Sequence, residues 1–375
     1  MDKLLIDGKL TQKGVVSLTI KSSETQKVRE GEELNSKNLL KYLQENIEGL
    51  PNEMIEINQF SAGHSNLTYC LKIGSWEAVL RRPPLGPVAP KAHDMEREHL
   101  ILSELNPLYP LAPKPYKYCG DPSIIGAPFI LMERKRGIVL DTHFPGHIEP
   151  EAEEKIGKFV SETMIEQLVA LHRIDYKQTK LAKISRPDGF LERQVHGWIG
   201  RYERAKTDEV KGVAKLQKWL TENIPTSLEP TIIHYDYKLN NAMFSPLLDE
   251  MVGLFDWEMT TVGDPLADLG VSMSYWIKAD DSEQLISAFG QPSITVKKGF
   301  LKRDQCIELY AKKSGRDVSN IHFYMTFAYF KLAVICQQIY YRFNKGQTND
   351  SRFRHFNVTV NALIQHAILT SSQKE

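Results

Sequence analysis

The chain of 375 residues contains no uninterrupted apolar run of about 18 residues, the length that a membrane span requires. Its first residues, MDKLLIDGKLTQKG, are interrupted by charges and lack the hydrophobic segment of a secretory leader. The 47 Lys and Arg residues are balanced by 47 Asp and Glu residues, which argues against a general nucleic-acid binder. We therefore expect a cytoplasmic protein that has no membrane span and does not bind nucleic acid.

The chain is also poor in cysteine and contains no CxxC pair. The four cysteines are far apart in the sequence and are Cys70, Cys119, Cys306 and Cys336. This spacing favours reduced, mostly buried thiols over disulfides or a zinc site. Internal repeats and low-complexity runs are absent as well, so a solenoid or a disordered chain is not indicated.

What is present is a change of pattern along the chain. Alternating apolar residues predict strands at 54–60 and 66–73. Further strands are predicted at 76–81 and at the apolar segment 128–134, with a helix at about 92–105 between them. From about residue 150, apolar residues recur at three- and four-residue steps, which predicts helices. The stretch 319–342 is apolar nearly all round and is expected to be buried.

These patterns predict an α+β fold of two lobes. A polar extension, partly ordered at best, covers residues 1–34. A lobe with a small β-sheet and one helix covers residues 35–134, and a larger, mainly helical lobe covers residues 135–375. In the first lobe, Asn35 and Ser36 are suited to cap a short helix.

The segment IIHYDYKLNNAMF carries the first chemical signal. Asp236 is followed five residues later by Asn241, the spacing of the catalytic loop of kinases. Asn240 is one residue short of that spacing. His234 fits a structural hydrogen-bonding role better than the role of a base.

Asp256 supplies the second signal, because it ends the apolar strand MVGLF twenty residues after Asp236. A carboxylate at a strand end can hold Mg²⁺ against phosphate oxygens. Each of these residues alone is typical of an ordinary turn or helix cap. Together, two apolar strands that each deliver a carboxylate and an asparagine at the required offset predict a phosphotransferase.

The same segments resemble the aminoglycoside phosphotransferase family, which has a protein-kinase-like fold. IIHYDYKLNNAMF resembles the family's HGDxxxxN loop, and LFDWEMTTVGDPLADLG resembles its metal segment and GDPxxDL signature. The resemblance implies that Asp236 is the catalytic base and that Asn241 and Asp256 hold Mg²⁺. It also implies that Asp268 braces the catalytic loop by accepting backbone hydrogen bonds, although a carboxylate near a helix N-terminus explains Asp268 equally well.

In the first lobe, the resemblance implies a site for ATP or GTP. The turn that would cover the phosphates contains Ser61, Gly63, Ser65 and Asn66, although one glycine suits a plain hairpin turn as well. Arg81 stands in the position of the kinase lysine, with Arg82 as the alternative. The ion-pair partner would be Glu98, or else Glu96. The connector whose backbone would contact the base comprises Met132, Glu133 and Arg134.

The sequence also bears on the acceptor. Seven residues separate Asp256 from Asp264, which leaves no room for a protein-kinase activation loop and favours a small molecule. The segments VLRRPPLG, HDMEREHLILSEL and FLERQVHGWIGRYERA resemble the kinase-like portion of certain mammalian acyl-CoA dehydrogenases, which implies a hydroxyacyl-CoA acceptor. Residues 301–375 contain eleven Lys or Arg and five Asp or Glu, which suits an anionic acceptor as well as a solvated helix face.

Three residues are candidates for the acceptor pocket because they recur on one face of a predicted helix, namely Gln194, Trp198 and Tyr202. Core packing is the alternative role for Trp198. An aminoglycoside- or choline-type kinase and a non-catalytic nucleotide-binding protein are the rival functions. The run Gly63-His64-Ser65 begins like a serine-hydrolase turn but has Leu67 where that motif needs glycine. A metal-dependent hydrolase would need more histidine ligands than the sequence offers.

Overall fold

The computed structural model describes residues 25–61, 66–86, 93–288, 293–348 and 350–372. The fold is α+β and divides into two compact units. The sheet unit comprises the chain up to Glu96 together with Tyr116–Arg134. The helical unit comprises Arg97–Pro115 and the chain from Lys135 onward. The predicted fold class is confirmed.

The sheet unit is built on six strands in the order β1-β2-β3-β4-β6-β5. They are β1 (Thr25–Gln26), β2 (Ile55–Phe60), β3 (Leu67–Ile73), β4 (Trp76–Arg82), β5 (Pro115–Cys119) and β6 (Phe129–Met132). Helix α1 (Ser36–Asn46) packs on one face, where Leu39 and Leu43 join the buried cluster. The alternation of Tyr69, Leu71 and Ile73 places all three side chains in that cluster. Asn35 caps α1 as expected, since its side chain accepts a hydrogen bond from the Asn38 N–H at 3.0 Å.

Residues 25–34 belong to this sheet unit, unlike the polar extension predicted for 1–34. Strand β1 pairs with β2, and the Arg29 N–H donates to Gln59 Oε1 at 3.0 Å. The Tyr69 hydroxyl donates to the Glu32 carbonyl at 2.7 Å. The segment is held by backbone and polar side-chain bonds, which need no apolar periodicity. The rest of the predicted extension, residues 1–24, lies outside the described residues.

Most of the helical unit is α-helix. Its helices are α2 (Met95–Leu105, which begins in the sheet unit), α3 (Pro150–His172), α4 (Leu181–Ile184), α5 (Phe190–Ala205), α6 (Val213–Glu222), α7 (Pro265–Tyr275), α8 (Glu283–Ala288), α9 (Arg303–Ser314), α10 (Ile321–Asn344) and α11 (Phe356–Ser372). Its short strands are β7 (Ile138–Val139), β8 (Thr231–Ile233), β9 (Ala242–Phe244), β10 (Met251–Leu254) and β11 (Thr261–Gly263). These strands form one sheet in the order β10-β9-β7 and a second of β11 and β8.

The unit boundary differs from the predicted lobe boundary at residues 97–115. The Arg97 guanidinium donates to the carbonyls of Glu258 and Thr260 at 3.0 and 2.5 Å. The Leu254 N–H donates to the Leu111 carbonyl at 2.9 Å. These long-range hydrogen bonds place most of α2 and the loop after it in the helical unit, a grouping that local sequence patterns do not reveal.

Helix α10 forms the centre of the helical unit and packs against α5, α7 and α11. Its residues from Phe323 to Val334 are buried without exception, which confirms the prediction for the centre of the stretch 319–342, whereas Ser319, Asn320 and Arg342 at its ends are exposed. Helix α7 begins at Pro265, and the Asp264 side chain caps it by accepting from the Leu266 N–H at 2.9 Å.

The structure also bears on membrane-spanning helices and on the cysteines. Within the described residues, no helix is long and apolar enough to cross a membrane. The four cysteines, all of which are described, form no disulfide, and three of them are buried.

Candidate active site

The candidate catalytic loop leaves strand β8 at Ile233 and turns sharply at Tyr235. Tyr235 adopts a left-handed backbone conformation with φ of +65°, which is unfavourable for a residue with a side chain. The family signature HGDxxxxN has glycine at this position, and glycine adopts the conformation without steric cost. The tyrosine therefore requires compensating contacts around the loop.

Asp268, in the first turn of α7, supplies two of these contacts. Its carboxylate is fully buried and accepts from the His234 N–H at 2.6 Å and from the Tyr235 N–H at 2.8 Å. The His172 ring lies 3.2 Å from the same carboxylate. Burial alone would raise the pKa of Asp268, but the hydrogen bonds from His172 and His234 outweigh it and hold the pKa below its ordinary value. The ionised carboxylate therefore fixes the turn that presents Asp236.

Asp236 lies at the centre of a short polar network. Nδ2 of Asn241 donates to the carbonyl and to Oδ2 of Asp236, at 2.9 Å in both cases. The ammonium of Lys238 lies 2.9 Å from the same Oδ2. About one fifth of the Asp236 side chain is exposed. Because Asn241 and Lys238 both contact Oδ2, Oδ1 is the oxygen suited to receive a proton from a ligand.

Asp256 is tied to this network through the backbone. The Phe255 N–H donates to the Asn241 carbonyl at 2.9 Å, which holds the segment after β10 beside the catalytic loop. Asp256 itself has a left-handed backbone conformation with φ of +62°. Nδ2 of Asn241 is engaged by Asp236, so Oδ1 is the atom through which Asn241 would bind a cation.

One amide oxygen and one carboxylate form a donor set that fits Mg²⁺, which usually keeps waters and takes its remaining ligands from nucleotide phosphates. Consistent with this, the described residues contain no cluster of three or more His, Cys, Asp or Glu side chains that forms a metal cage.

His234 is a structural residue of the loop in this geometry. Its ring is fully buried, with Nε2 at 2.8 Å from the Phe255 carbonyl and Nδ1 at 3.3 Å from the Asp236 N–H. A carbonyl only accepts hydrogen bonds, so Nε2 carries the proton and Nδ1 is the acceptor. Burial lowers the pKa of His234 and keeps the ring neutral. Both ring nitrogens are thus hydrogen-bonded, and the ring joins the loop of Asp236 to the segment that precedes Asp256.

A cavity of about 350 Å³ opens next to the catalytic loop within the helical unit. Its lining includes Tyr235, the two predicted residues Gln194 and Trp198, and three arginines, namely Arg186, Arg193 and Arg201. Oε1 of Gln194 accepts from the Trp198 indole at 3.2 Å and from the Tyr235 hydroxyl at 3.3 Å. Gln194 therefore links the cavity wall to the residue before Asp236.

Tyr202 does not line this cavity. It is 1% exposed, and its ring packs at 6.1 Å from that of Phe330 on α10. Tyr202 follows Gln194 by eight residues, so its side chain is rotated by about 80° around the helix axis relative to that of Gln194. Of the three predicted pocket residues, the structure thus places Gln194 and Trp198 in the lining of this cavity and Tyr202 outside it.

The residues predicted to contact the nucleotide lie mostly in the sheet unit. Of the predicted phosphate-covering turn, Gly63 and Ser65 lie outside the described residues. Ser61 follows strand β2, and Asn66 is buried with its Oδ1 at 2.8 Å from Nδ1 of His93. Met132 ends strand β6, with Glu133 and Arg134 directly after it.

Arg81 and Arg82 are both buried, but as neighbours in strand β4 they point to opposite faces of the sheet. Arg82 lies on the face of the buried Leu80 and donates to the Ile125 carbonyl at 2.9 Å. Arg81 is therefore the better candidate for a phosphate contact. Of the two predicted ion-pair partners, Glu98 is 2% exposed in α2 of the helical unit, whereas Glu96 is exposed.

Sequence reasoning missed two lysines and the arginines of the cavity. Lys238 was recognisable as a cation two residues after Asp236. Lys331 lies in the middle of α10, where an apolar helix carries a single buried charge. Its ammonium donates to the Tyr235 carbonyl at 3.2 Å. A charge in an otherwise apolar helix was the signal that could have revealed it.

These elements together define a kinase-like phosphotransferase fold. Its components are an aspartate and an asparagine in one loop, an aspartate after the next pair of strands, and a separate sheet unit. The chain belongs to the phosphotransferase enzyme family (APH), whose family model matches residues 56–293.

Comparisons with individual proteins agree with this assignment. A protein of Ralstonia eutropha assigned to the aminoglycoside phosphotransferases has a crystal structure that is 26% identical in sequence, with a TM-score of 0.75 over 90% of this chain and 98% of its own. Aminoglycoside phosphotransferase APH(4)-Ia, in a ternary complex with ADP and hygromycin B, shares the fold at 12% identity, with a TM-score of 0.56 over 90% of this chain and 99% of its own.

Acyl-CoA dehydrogenase family member 10 of Mus musculus is 32% identical over 300 residues, or 79% of this chain. The chain spans 27% of that relative's length. The similarity therefore concerns one portion of a longer protein.

Proposed function

We propose that this protein is a small-molecule kinase that transfers the γ-phosphoryl group of ATP or GTP to a hydroxyl group of an anionic acceptor, with a hydroxyacyl-CoA as the leading candidate. The observation that carries the proposal is the hydrogen-bonded network from Asp236 through Asn241 to Phe255. It joins Asp236 to Asn241 by side-chain hydrogen bonds and ties the backbone next to Asp256 to the same loop.

In the proposed reaction, Oδ1 of Asp236 accepts the proton of the acceptor hydroxyl. The hydroxyl oxygen forms a bond to the γ-phosphorus as the bond from that phosphorus to the β–γ bridging oxygen breaks, and the nucleoside diphosphate leaves. Such transfers depend mainly on alignment and on charge neutralisation, with little covalent help from the protein. Asp268 and His234 keep Asp236 aligned, and Lys238 adds a positive charge beside it.

Asn241 and Asp256 would hold Mg²⁺, which neutralises phosphate charge when it is bound. In the sheet unit, Arg81 would contact phosphates, and the backbone of Met132, Glu133 and Arg134 would contact the base. The turn from Ser61 to Asn66, including Gly63 and Ser65, would cover the phosphates with N–H groups. Glu98 is proposed as an ion-pair residue of the nucleotide site.

The preference for an anionic acceptor rests on the cavity beside Tyr235. Among the described residues that line it, three are arginines and none is an aspartate or glutamate. The Arg201 guanidinium lies 4.3 Å from the centre of the Trp198 ring, which supports its planar orientation. A polycationic aminoglycoside would be repelled by this lining, whereas phosphate and carboxylate groups of a coenzyme A ester would be attracted. The likeness to an acyl-CoA dehydrogenase family member favours the same acceptor.

An acceptor screen tests the proposal. The purified chain with Mg²⁺ and ATP or GTP is supplied with hydroxyacyl-CoAs, aminoglycosides, choline-type alcohols or sugars, and ADP or GDP release is measured. We expect release above background only with a hydroxyacyl-CoA. Turnover with an aminoglycoside or choline alone would replace the proposed acceptor. Nucleotide binding without turnover on any acceptor would favour the rival, a non-catalytic nucleotide-binding protein.

A further inference from the structure

Lys331 is a buried cation in the centre of helix α10, with 4% of its surface exposed. Its ammonium lies 3.2 Å from the Tyr235 carbonyl oxygen and 3.4 Å from the centre of the Tyr235 ring. The Trp198 ring lies farther away, at 5.7 Å. Burying a lysine in an apolar helix is costly, so its contacts with the catalytic loop need an explanation beyond packing.

The Tyr235–Asp236 peptide is the group that Lys331 contacts. The Tyr235 N–H is bound by Asp268, the Tyr235 carbonyl by Lys331, and the Asp236 N–H by His234. All three contacts come from side chains, because this part of the loop follows strand β8 and no longer pairs with a neighbouring strand. Lys331 is the one of these three that belongs to neither the catalytic loop nor the GDPxxDL segment.

Tyr235 explains why this loop needs an additional support. The family signature places glycine at this position, whereas this chain places a tyrosine there with φ of +65°. A tyrosine in the left-handed region tends to relax to negative φ, which would rotate the peptide that carries Asp236. An ammonium bound to the carbonyl and stacked on the ring opposes that rotation.

We propose that Lys331 is a positioning residue for phosphoryl transfer, which locks the Tyr235–Asp236 peptide and so compensates for tyrosine at a glycine position. The expected effect of Lys331 on kcat rests on the proposed function. The restraint of the Tyr235–Asp236 peptide by Lys331, which we call the lock, does not depend on any acceptor.

The charges around Lys331 make the lock sensitive to pH. Burial lowers the pKa of Lys331 to about 7, and Arg201 of α5 and Lys238 of the loop add to this effect, while Asp236 of the loop and Asp268 of α7 oppose it. The ammonium donates more strongly than the neutral amine, so the lock is tightest below that pKa. His234, whose pKa burial lowers from its ordinary value, titrates on the acid side of Lys331.

The first test observes the peptide directly. Tyr235–Asp236 is the only Tyr-Asp pair in the sequence. Labelling Tyr with ¹³C at the carbonyl and Asp with ¹⁵N therefore gives a single correlated NMR signal from that peptide. In the unmodified chain we expect this signal to shift with a midpoint near pH 7, and we expect the shift to vanish in Lys331→Met. A signal that titrates identically in both proteins would overturn the lock, whether or not an acceptor has been found.

The second test is kinetic, with saturating nucleotide and an acceptor that the screen has identified. Lys331→Met should lower kcat about 10- to 100-fold, the scale of one hydrogen bond from a charged donor, and should change the KM for nucleotide little. It should also remove the fall in kcat as pH rises through about 7. The double variant Tyr235→Gly/Lys331→Met should recover part of kcat, because glycine adopts the turn unaided.

Gln337→Met is the matched control, because Gln337 is also buried in α10 but donates to the Ala205 carbonyl at 2.8 Å, away from the loop. It should keep kcat. Unchanged kcat in Lys331→Met, or an equal loss in Gln337→Met, would overturn the positioning role. A chain that releases no ADP with any acceptor would refute the proposed function and leave the NMR test to decide the lock.

Discussion

Asn241 donates its side-chain amide to two oxygens of Asp236, the backbone carbonyl and carboxylate Oδ2, at 2.9 Å in both cases. Both bonds use Nδ2, so the orientation of the amide is fixed and Oδ1 is the atom offered to a cation. One side chain thus orients the proposed base and contributes to the proposed metal site.

Replacing Asn241 should affect both roles. In Asn241→Ala we expect kcat to fall about 10- to 100-fold, because a hydrogen bond to a charged carboxylate is lost. We also expect the Mg²⁺ concentration for half-maximal activity to rise, as measured by ADP release across a Mg²⁺ titration. Asn223→Ala, at the end of α6, is the control. An unchanged Mg²⁺ titration in Asn241→Ala would count against the metal role.

Asp268→Asn should weaken both the fold and the reaction. The carboxylate is fully buried and accepts two backbone N–H bonds, whereas asparagine offers a single oxygen. Breaking such a buried charged network costs about 3–5 kcal/mol, which urea unfolding would measure. Asp317→Asn, in an exposed turn, should leave the free energy of unfolding nearly unchanged. Equal effects of the two substitutions would show that Asp268 does not hold the loop.

The arginines of the cavity should set the KM for the acceptor. In Arg186→Ala/Arg201→Ala we expect the KM for a hydroxyacyl-CoA to rise about 10-fold with little change in kcat, since charge-assisted contacts to phosphate are lost. The effect should shrink at high salt, because both side chains are exposed. Arg204→Ala is the control, because Arg204 lies on α5 like Arg201 but outside the cavity lining. A KM that rises as much in Arg204→Ala as in the double variant would argue for a general surface charge effect.

Lys331 should make stability depend on pH. Burial lowers its pKa to about 7, so between pH 7 and 9 the unfolded chain holds a proton that the folded chain has released. The free energy of unfolding should therefore rise with pH, by roughly 2 kcal/mol from pH 7.5 to 9, relative to Lys331→Met. The difference between the two proteins is the quantity to measure. Cys306 and Cys336, whose pKa burial raises to about 12, oppose the trend equally in both. Parallel pH profiles of the two proteins would show that folding does not lower the pKa of Lys331.

Local spacing was enough to predict much of this molecule. The offset from Asp236 to Asn241 indicated one loop, and that loop contains both residues in hydrogen-bond contact. The apolar stretch at 319–342 predicted the buried helix α10, and Asn35 predicted the start of α1. Each of these features depends on residues close together in sequence.

Features that depend on distant contacts were not predictable. Residues 25–34 join the sheet through backbone pairing and the buried Gln59, so no apolar pattern marks them. Lys331 reaches a loop that lies 96 positions earlier in the chain. Tyr202 continues the helical spacing of Gln194 and Trp198, yet the packing of α5 against α10 turns it away from the cavity.

The kinetics of Asp236→Asn test the central claim most directly, because asparagine keeps the shape of the side chain and removes its basicity. ADP release is measured with Mg²⁺, nucleotide and an accepted hydroxyacyl-CoA, beside Asp249→Asn in the exposed turn between β9 and β10. We predict that Asp236→Asn lowers kcat roughly 10²- to 10⁴-fold, the usual contribution of a positioned base, with little change in nucleotide affinity and full activity in Asp249→Asn. Full turnover by Asp236→Asn would contradict the account.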